Sequence, residues 1–247
     1  MKIILTGSEG FIGGHLKKEL LFRGHEVSCW DEKINKCASE IFLTPNTAKA
    51  DYFIHLAAYA DVTESMAQPD KYIENNVALT IDIQRYCNTN KIPLLYASSS
   101  CIHDWSLSVY GMTKKINELT AYENQIGLRF TTVYGDGARD QMLIGRLIKN
   151  EVKYLTNHTR DFVHVADVVS AIMLLLETKQ HVDGCYDIGC GFGVKVSNLG
   201  IYLGHEDIPI TEGEVYEAKD NTANISRMVK LGWSPTIYIY DYLKDYL

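Results

Sequence analysis

The chain has 247 residues, 46% of them apolar and 22% charged, with a formal net charge of −7. That length suffices for a large core in one domain, or one domain with a small appendage. The acidic balance argues against nucleic acid as a partner and fits a soluble cytoplasmic protein, so a phosphate-bearing ligand would have to be held by local donors.

The longest apolar stretch, Val168 to Leu176, is far short of the ~20 residues that cross a bilayer. Lys2 precedes only three apolar residues before Thr6-Gly7, so neither a membrane span nor a signal peptide is expected. Six cysteines, at positions 29, 37, 87, 101, 185 and 190, lack the paired spacing of metal ligands. They read as reduced thiols, and no metal is expected.

In chain order, the apolar run Ile3-Ile4-Leu5 leads into Gly7-x-x-Gly10-x-x-Gly13, and a helical pattern follows with Phe11, Leu16 and Leu20 on one side. A strand, a glycine turn and a helix opening on that turn place backbone N–H groups and a helix dipole where a pyrophosphate can sit. Asp31 follows Gly13 at the end of a second strand-like run, Glu26–Trp30. The interval is close to the one, about 20 residues, at which a carboxylate takes adenosine ribose hydroxyls. A carboxylate there repels a 2′-phosphate, which favours NAD over NADP, although Lys33 and Lys36 lie nearby.

A poorly patterned stretch runs to Lys49, with a short strand predicted at Ile41–Leu43. Asp51–Leu56 reads as a strand ending in Ala57-Ala58. Pro69 opens a long predicted helix to about Asn88, and Pro93–Ala97 is a buried strand running into Ser98-Ser99-Ser100. A helix is predicted from Tyr110 to about Gln125, and a strand from Leu128 to Val133 that turns out through Tyr134-Gly-Asp-Gly137. This alternation predicts an α/β fold with a doubly wound parallel sheet.

Beyond this point the pieces shorten. A helix is expected near Gln141–Lys149, a strand at Phe162–Val165, an apolar helix at Asp167–Glu177, a strand at Cys185–Ile188, and then two short helices. Residues 1–133 are expected to bind the dinucleotide. Residues 134–247 mainly form a small α/β lobe, with 153–178 partly returning to the first unit and no linker between the two. Ligands of such sheets bind outside the carboxyl ends of the strands.

Tyr110-Gly-Met-Thr-Lys114 puts a phenol and an ammonium at i and i+4, on one helix face. A lysine cation beside the phenol, with a nicotinamide cation also near, would favour phenolate and make Tyr110 a base for a sugar hydroxyl. The same spacing recurs at Tyr240 and Lys244, but only the first pair follows a strand ending in serines, so Tyr240 reads as a surface residue.

With these residues in view, the chain resembles the extended short-chain dehydrogenase/reductases, the NAD-dependent epimerase/dehydratase family. The resemblance rests on Thr6-Gly-x-x-Gly-Phe-Ile-Gly13, His55-Leu-Ala-Ala58, Ser98-Ser-Ser100 and Tyr110-x-x-x-Lys114. It continues through Val62-x-x-Ser65-x-x-x-Pro69, Asn75-Asn-Val77, Leu128-Arg129, Arg160-Asp-Phe-Val-His-Val165 and Leu231-Gly-Trp-Ser-Pro235. It implies a Rossmann domain with a small C-terminal lobe, bound NAD and a nucleotide-sugar substrate. By that likeness Ser99, Tyr110 and Lys114 are catalytic, and Gly7, Gly10, Phe11, Ile12 and Gly13 touch the pyrophosphate. Leu56, Ala57, Ala58 and Asn75 line the cofactor with Asp31, Tyr110 and Lys114. Ser99, Thr132 and Arg160 meet the substrate, Arg160 at its diphosphate.

Departures from the family narrow the reaction. Ser100-Cys101 stand where dehydratases carry an Asp-Glu pair and decarboxylases a Glu, so dehydration and decarboxylation are not expected. Cys101 is similar to the cysteine of the GDP-fucose synthase branch, yet Gln141 is the nearest match to its partner histidine, and a small packed residue is the simpler reading. Simple 4-epimerisation remains, as in UDP-glucose 4-epimerase. The alternatives are an NADPH-dependent 4-keto-sugar reductase and a non-catalytic NAD-binding sensor. The segment from Ser99 to Tyr110 is short for the family, the Asp31–Asp51 region is trimmed, Thr132 replaces an expected Asn, and only Lys219 could supply a second basic residue at the diphosphate. His164 is expected to pack against the sheet, His103 and Trp105 to shape or cover the pocket, and Gly189-Cys-Gly191 to form a strand-end turn. Helices 69–88 and 110–125 are expected to pair in a homodimer.

Overall fold

The computed structural model describes residues 1–44, 47–178 and 184–247. β1 (Lys2–Thr6) ends in the glycine turn, from which α1 (Phe11–Phe22) starts and returns the chain to β2 (Glu26–Trp30). β3 (Tyr52–His55), α2 (Val62–Ala67), α3 (Pro69–Tyr72), α4 (Leu79–Asn90) and β4 (Leu94–Ser99) follow. Then come α5 (Val109–Thr120), β5 (Gln125–Phe130), β6 (Thr132–Tyr134), α6 (Leu143–Ile148), β7 (Leu155–Thr156) and β8 (Thr159–His164). The remainder comprises α7 (Val165–Glu177), β9 (Gly184–Ile188), β10 (Gly193–Lys195), α8 (Val196–Tyr202), β11 (Ile210–Thr211), α9 (Ser226–Lys230) and α10 (Ile239–Leu243).

Six strands form one sheet in the order β2-β1-β3-β4-β5-β9, every pair parallel. The order reverses direction between β1 and β3, the switch point at which ligands of open α/β sheets bind. This is the predicted doubly wound fold. Its inner strands, β1, β3, β4 and β5, are largely buried on both faces, which is why apolar residues dominate them.

Two cores flank the sheet. Leu16 and Leu20 of α1 pack with Ile54, Leu128 and the apolar face of α7. On the other face Trp30, Ile41, Phe53 and Ile83 pack with Leu94 and Tyr96. A third core lies outside the sheet, where Tyr134, Leu147, Leu155 and Phe162 meet Leu199 and Leu243.

The structure revises several predicted elements. Ile41–Leu43 is not a strand. It lies in a 3-10 turn over Ala38–Leu43 that puts Ile41, fully buried, into the core. Pro45 and Asn46 of the same stretch lie outside the described residues. The helix from Pro69 is divided by a π-helical turn at Ile73–Ala78. Within that turn Asn76 is fully buried and brackets the backbone of Tyr59, accepting from its N–H at 2.9 Å and donating to its carbonyl at 2.8 Å. The helix from Tyr110 ends at Thr120, because the Gln125 side chain caps the Tyr122 N–H and Gln125 itself opens β5. The strand predicted over Leu128–Val133 breaks at Thr131, whose N–H turns to the Ile188 carbonyl. β5 stays in the main sheet while β6 pairs with β8 in a second one.

Asp161 ties these pieces together. Fully buried, it accepts from the backbone N–H groups of Cys190 (2.6 Å), Gly191 (2.8 Å) and Ala223 (3.1 Å). The Gly189–Gly191 segment is therefore a strand-end turn whose donors are already taken by an internal carboxylate. Replacement by alanine leaves these buried donors without an acceptor, each costing about 1–3 kcal/mol. Asp161→Ala is expected to lower unfolding stability by about 3 kcal/mol, measured by urea denaturation, and Asp161→Asn by less.

Candidate active site

A cavity of about 840 Å³ opens at the carboxyl ends of the parallel strands. One end is built by the glycine turn. Gly7 sits at φ +71°, and a Cβ there would lie 2.7 Å from the Ala57 nitrogen. A Cβ on Gly13 would lie 1.9 Å from the Gly7 carbonyl oxygen. Only glycine permits this approach of β1, α1 and the end of β3. Gly10 caps α1 and contributes no side-chain acceptor. The first N–H groups of the helix, at Phe11, Ile12 and Gly13, thus lie at the cavity wall with the positive end of the dipole. This uncapped helix start fits the pyrophosphate of a dinucleotide.

Asp31 lies behind the wall. One of its carboxylate oxygens accepts from the Glu9 N–H at 3.0 Å and the other from the Lys33 N–H at 2.9 Å. A carboxylate offers about four acceptor positions, so ribose hydroxyls can still be accommodated. Leu56 and Ala58 line the cavity, and Ala57 underlies it, its N–H donating to the Thr6 hydroxyl at 3.3 Å. Asn75 is outside the lining and gives its amide to Asn76.

His55 braces this end. Thr6 Oγ1, which accepts from the Ala57 N–H, is hydrogen-bonded to His55 Nδ1 at 2.7 Å, and His55 Nε2 is hydrogen-bonded to Thr80 Oγ1 at 3.0 Å. Burial, with the Lys114 charge, pushes His55 down to about 3, so the imidazole is neutral.

At the other end Ser99, Tyr110, Lys114, Thr132 and Arg160 all line the cavity. Tyr110 is placed by the start of α5: the Ser108 hydroxyl accepts from the Gly111 N–H at 3.1 Å, and the Ser65 hydroxyl accepts from the Tyr110 N–H at 3.1 Å. Lys114 is buried, donates to the Ala97 carbonyl at 2.9 Å, and stands 5.7 Å from the Tyr110 ring centroid. The three serines part company. Ser98 donates to Glu118 at 2.6 Å, and Glu118 is held by Arg129. Ser99 accepts from the Cys101 N–H at 3.2 Å.

In the protein alone, burial pushes the Tyr110 phenol well above its ordinary range, and the Cys101 thiol pushes the same way. A hydrogen bond with Ser99 and the Arg139 charge oppose it. Burial also pushes the Cys101 thiol up, so it stays protonated in the wall. Lys114 is pushed down to about 8, first by burial.

Three groups at the cavity were not anticipated from sequence. Arg139 lines it from the loop after β6. Asn221 donates to Ser100 Oγ at 3.4 Å and Thr132 Oγ1 at 3.3 Å, and accepts from the Asp161 N–H at 2.7 Å. Glu217 bonds the Arg160 guanidinium. The basic spacing of Arg139 carried no pattern, and the other two come from a segment distant in sequence. Among the remaining candidates, His164 packs on Tyr134 and accepts from the Ala166 N–H. His103 lies 3.7 Å from Asp187, and neither it nor Trp105 lines the cavity. Tyr240 stacks edge-on to Tyr202 away from the cavity, and Lys244 pairs with Asp241. Lys219 is exposed and outside the lining.

Lys114 has a stability consequence. Below about pH 8 it is charged in both folded and unfolded chains, and the folded state carries the whole burial penalty. Between about 8 and 10.5 the folded chain gives up the proton while the unfolded chain keeps it, so this contribution to stability rises with pH. Lys114→Met is expected to be more stable than wild type at pH 7, by a few kcal/mol at most. The difference should shrink toward pH 10 in paired urea titrations.

A sequence profile described as the NAD dependent epimerase/dehydratase family matches residues 3–189. Protein CapI of Staphylococcus aureus is 30% identical, with 90% of this chain and 83% of that protein covered. The structure of UDP-glucuronic acid 4-epimerase from Bacillus cereus in complex with UDP-glucuronic acid and NAD matches with a TM-score of 0.82 at 25% identity, covering 100% of this chain and 98% of that one. MoeE5 in complex with UDP-glucuronic acid and NAD matches with a TM-score of 0.85 at 25% identity, covering 99% and 97%. The cavity, the glycine turn and the matched length agree: this chain belongs to the NAD dependent epimerase/dehydratase family.

Proposed function

We propose that the chain is an NAD-dependent nucleotide-sugar 4-epimerase working through a transient 4-keto sugar. The observation that carries this reading is the meeting of Ser99, Tyr110 and Lys114 in one cavity with the uncapped start of α1. The Bacillus cereus enzyme and MoeE5 hold UDP-glucuronic acid together with NAD, which supports a UDP-sugar as the substrate class. Residues 134–247 would then mainly form the substrate-side lobe, with 153–178 partly returning to the dinucleotide-binding unit of 1–133.

In this reading Gly7, Gly10, Phe11, Ile12 and Gly13 receive the pyrophosphate, and Asp31 takes the adenosine ribose. Leu56, Ala57, Ala58 and Asn75 shape the walls or their support. NAD, when bound, would supply reversible hydride acceptance at the sugar carbon. Tyr110 takes the proton of the C4 hydroxyl, and Ser99 Oγ holds that oxygen. Lys114 supplies positive charge beside the phenolate, opposing the burial that otherwise keeps Tyr110 protonated. Thr132 and Arg160 face the substrate, Arg160 at the diphosphate. Asp31 would repel a 2′-phosphate, which weighs against an NADPH-dependent reductase. A sensor would have no use for the serine, tyrosine and lysine together.

We further infer a homodimer formed through helices 69–90 and 109–120, whose outer faces expose Ile73, Met112 and Leu119, and a cytoplasmic location, supported by six free cysteines. Light scattering is expected to give twice the chain mass, and a monomer would rule the dimer out.

The catalytic assignment is tested by Tyr110→Phe. Loss of a positioned base lowers rates by about 10²–10⁴-fold. The variant is expected to lose that much kcat for formation of the 4-epimer from UDP-glucuronic acid or UDP-glucose, followed by chromatography, while retaining NAD as wild type does. Unchanged turnover would refute the role of Tyr110.

A further inference from the structure

The Arg160 guanidinium is already in use. Its Nη1 donates to the carbonyls of Thr159 at 3.0 Å and Ala218 at 2.7 Å. Its Nη2 bonds His158 Nδ1 at 3.1 Å and donates to Glu217 Oε2 at 3.0 Å. A guanidinium has five N–H donors. The four terminal ones are thus accounted for, and no acceptor meets the Nε–H among the described residues.

These partners are not equally held. The two carbonyls are backbone. His158 is buried, with 7% of its side chain exposed. Glu217 has 34% of its side chain exposed and lies on a loop, its N–H bonded to the Glu214 carbonyl. Of the two side-chain acceptors, His158 is held in the interior, whereas Glu217, which also lies 3.4 Å from His158 Nδ1, is the one with room to rotate away. Its departure frees Nη2 next to the open Nε–H, and these two donors form the edge of arginine that grips a phosphate with two parallel hydrogen bonds.

We propose that Glu217 is a resident anion of the nucleotide subsite, seated on Arg160 until a diphosphate displaces it. The inference rests on the reading of Arg160 as the residue that meets the substrate's diphosphate. Glu217 and Arg160 both line the cavity, so a carboxylate left near an incoming diphosphate would also repel it. The glutamate therefore raises the requirement for anionic charge: a doubly charged diphosphate can replace it, whereas a nucleoside without phosphate gains nothing by doing so. It tunes substrate selection through affinity and touches no reacting atom.

Titration calorimetry of UDP and of uridine into the full chain tests this, using wild type, Glu217→Gln, Glu217→Ala and Arg160→Ala. Exchange of a partly exposed ion pair for a substrate contact changes affinity by roughly threefold to tenfold. Both Glu217 variants are expected to bind UDP tighter by that factor, with uridine affinity unchanged, and Arg160→Ala is expected to weaken UDP. If wild type binds UDP but both Glu217 variants bind it equally or more weakly, Glu217 is an anchor that holds Arg160 in place and the inference is overturned. If Arg160→Ala leaves UDP affinity unchanged, the diphosphate role of Arg160 fails and the inference falls with it. If none of the proteins binds UDP, the UDP-sugar reading fails first.

Discussion

The whole site depends on one backbone contact. Gly13 at the first turn of α1 lies so close to the Gly7 carbonyl that a Cβ would sit 1.9 Å from that oxygen. Gly7 in turn presses on the backbone at Leu56 and Ala57, the end of β3. Any side chain at either position would push the helix away from the sheet and separate the helix start from the strand ends. The cost of the two glycines is conformational entropy in the unfolded chain. It is offset by the cores that clamp α1 from behind, where Leu16 and Leu20 are fully buried against the residues of α7.

Electrostatics at the far end are governed by burial more than by net charge. The chain is acidic overall, yet Lys18, Lys33, Lys114, Arg139 and Arg160 all reach the cavity wall. Opposing pressures act on the two residues of the Tyr110–Lys114 pair. Removal from water favours neutral phenol and neutral amine alike, so the phenol rises and the ammonium falls. A pair poised this way responds strongly to any charge brought into the cavity, because little solvent remains to screen it. His55 is the counterexample. Burial keeps it neutral and both ring nitrogens are hydrogen-bonded, so it serves as a rigid brace between strand ends.

Legibility in the sequence followed the range of the interactions. Gly7, Gly10 and Gly13 act within a single strand-turn-helix, and Tyr110 and Lys114 act within one helix, so spacing alone placed them together. Strand identity was equally plain where both faces are buried, as in Leu94–Ala97. Reading failed where the chain's local pattern was overruled from outside. Ile41 is apolar and followed by Phe42 and Leu43, yet what it needs is a core position and not a sheet partner. Thr131 divides the segment Leu128–Val133 because β5 and β6 serve different sheets, a fact with no local signature. Asn221 and Glu217 could not be foreseen at all, since their partners Thr132, Asp161 and Arg160 lie far away in sequence.

The shortness of the segment between Ser99 and Tyr110 is compatible with an intact site because compact turns replace length. Two 3-10 turns, Ser100–Ile102 and Trp105–Leu107, carry the chain from β4 to α5. They close against the helix at Gly111, where a Cβ would lie 3.1 Å from the carbonyl oxygens of both Cys101 and Trp105. The glycine therefore lets the loop fold down onto the helix start. Two serines then fix the outcome: Ser108 caps α5, and Ser65, whose hydroxyl also donates to the Val62 carbonyl at 2.6 Å, holds the Tyr110 N–H from α2. A longer loop could leave the start of α5 to be ordered by substrate. Here the start of the helix is ordered by the chain itself, and the side of the cavity nearest Tyr110 is closed by Asp104, Leu107 and Ser108. The position of the phenol thus depends on local capping and on close packing at Gly111, which are built into the fold before any ligand arrives.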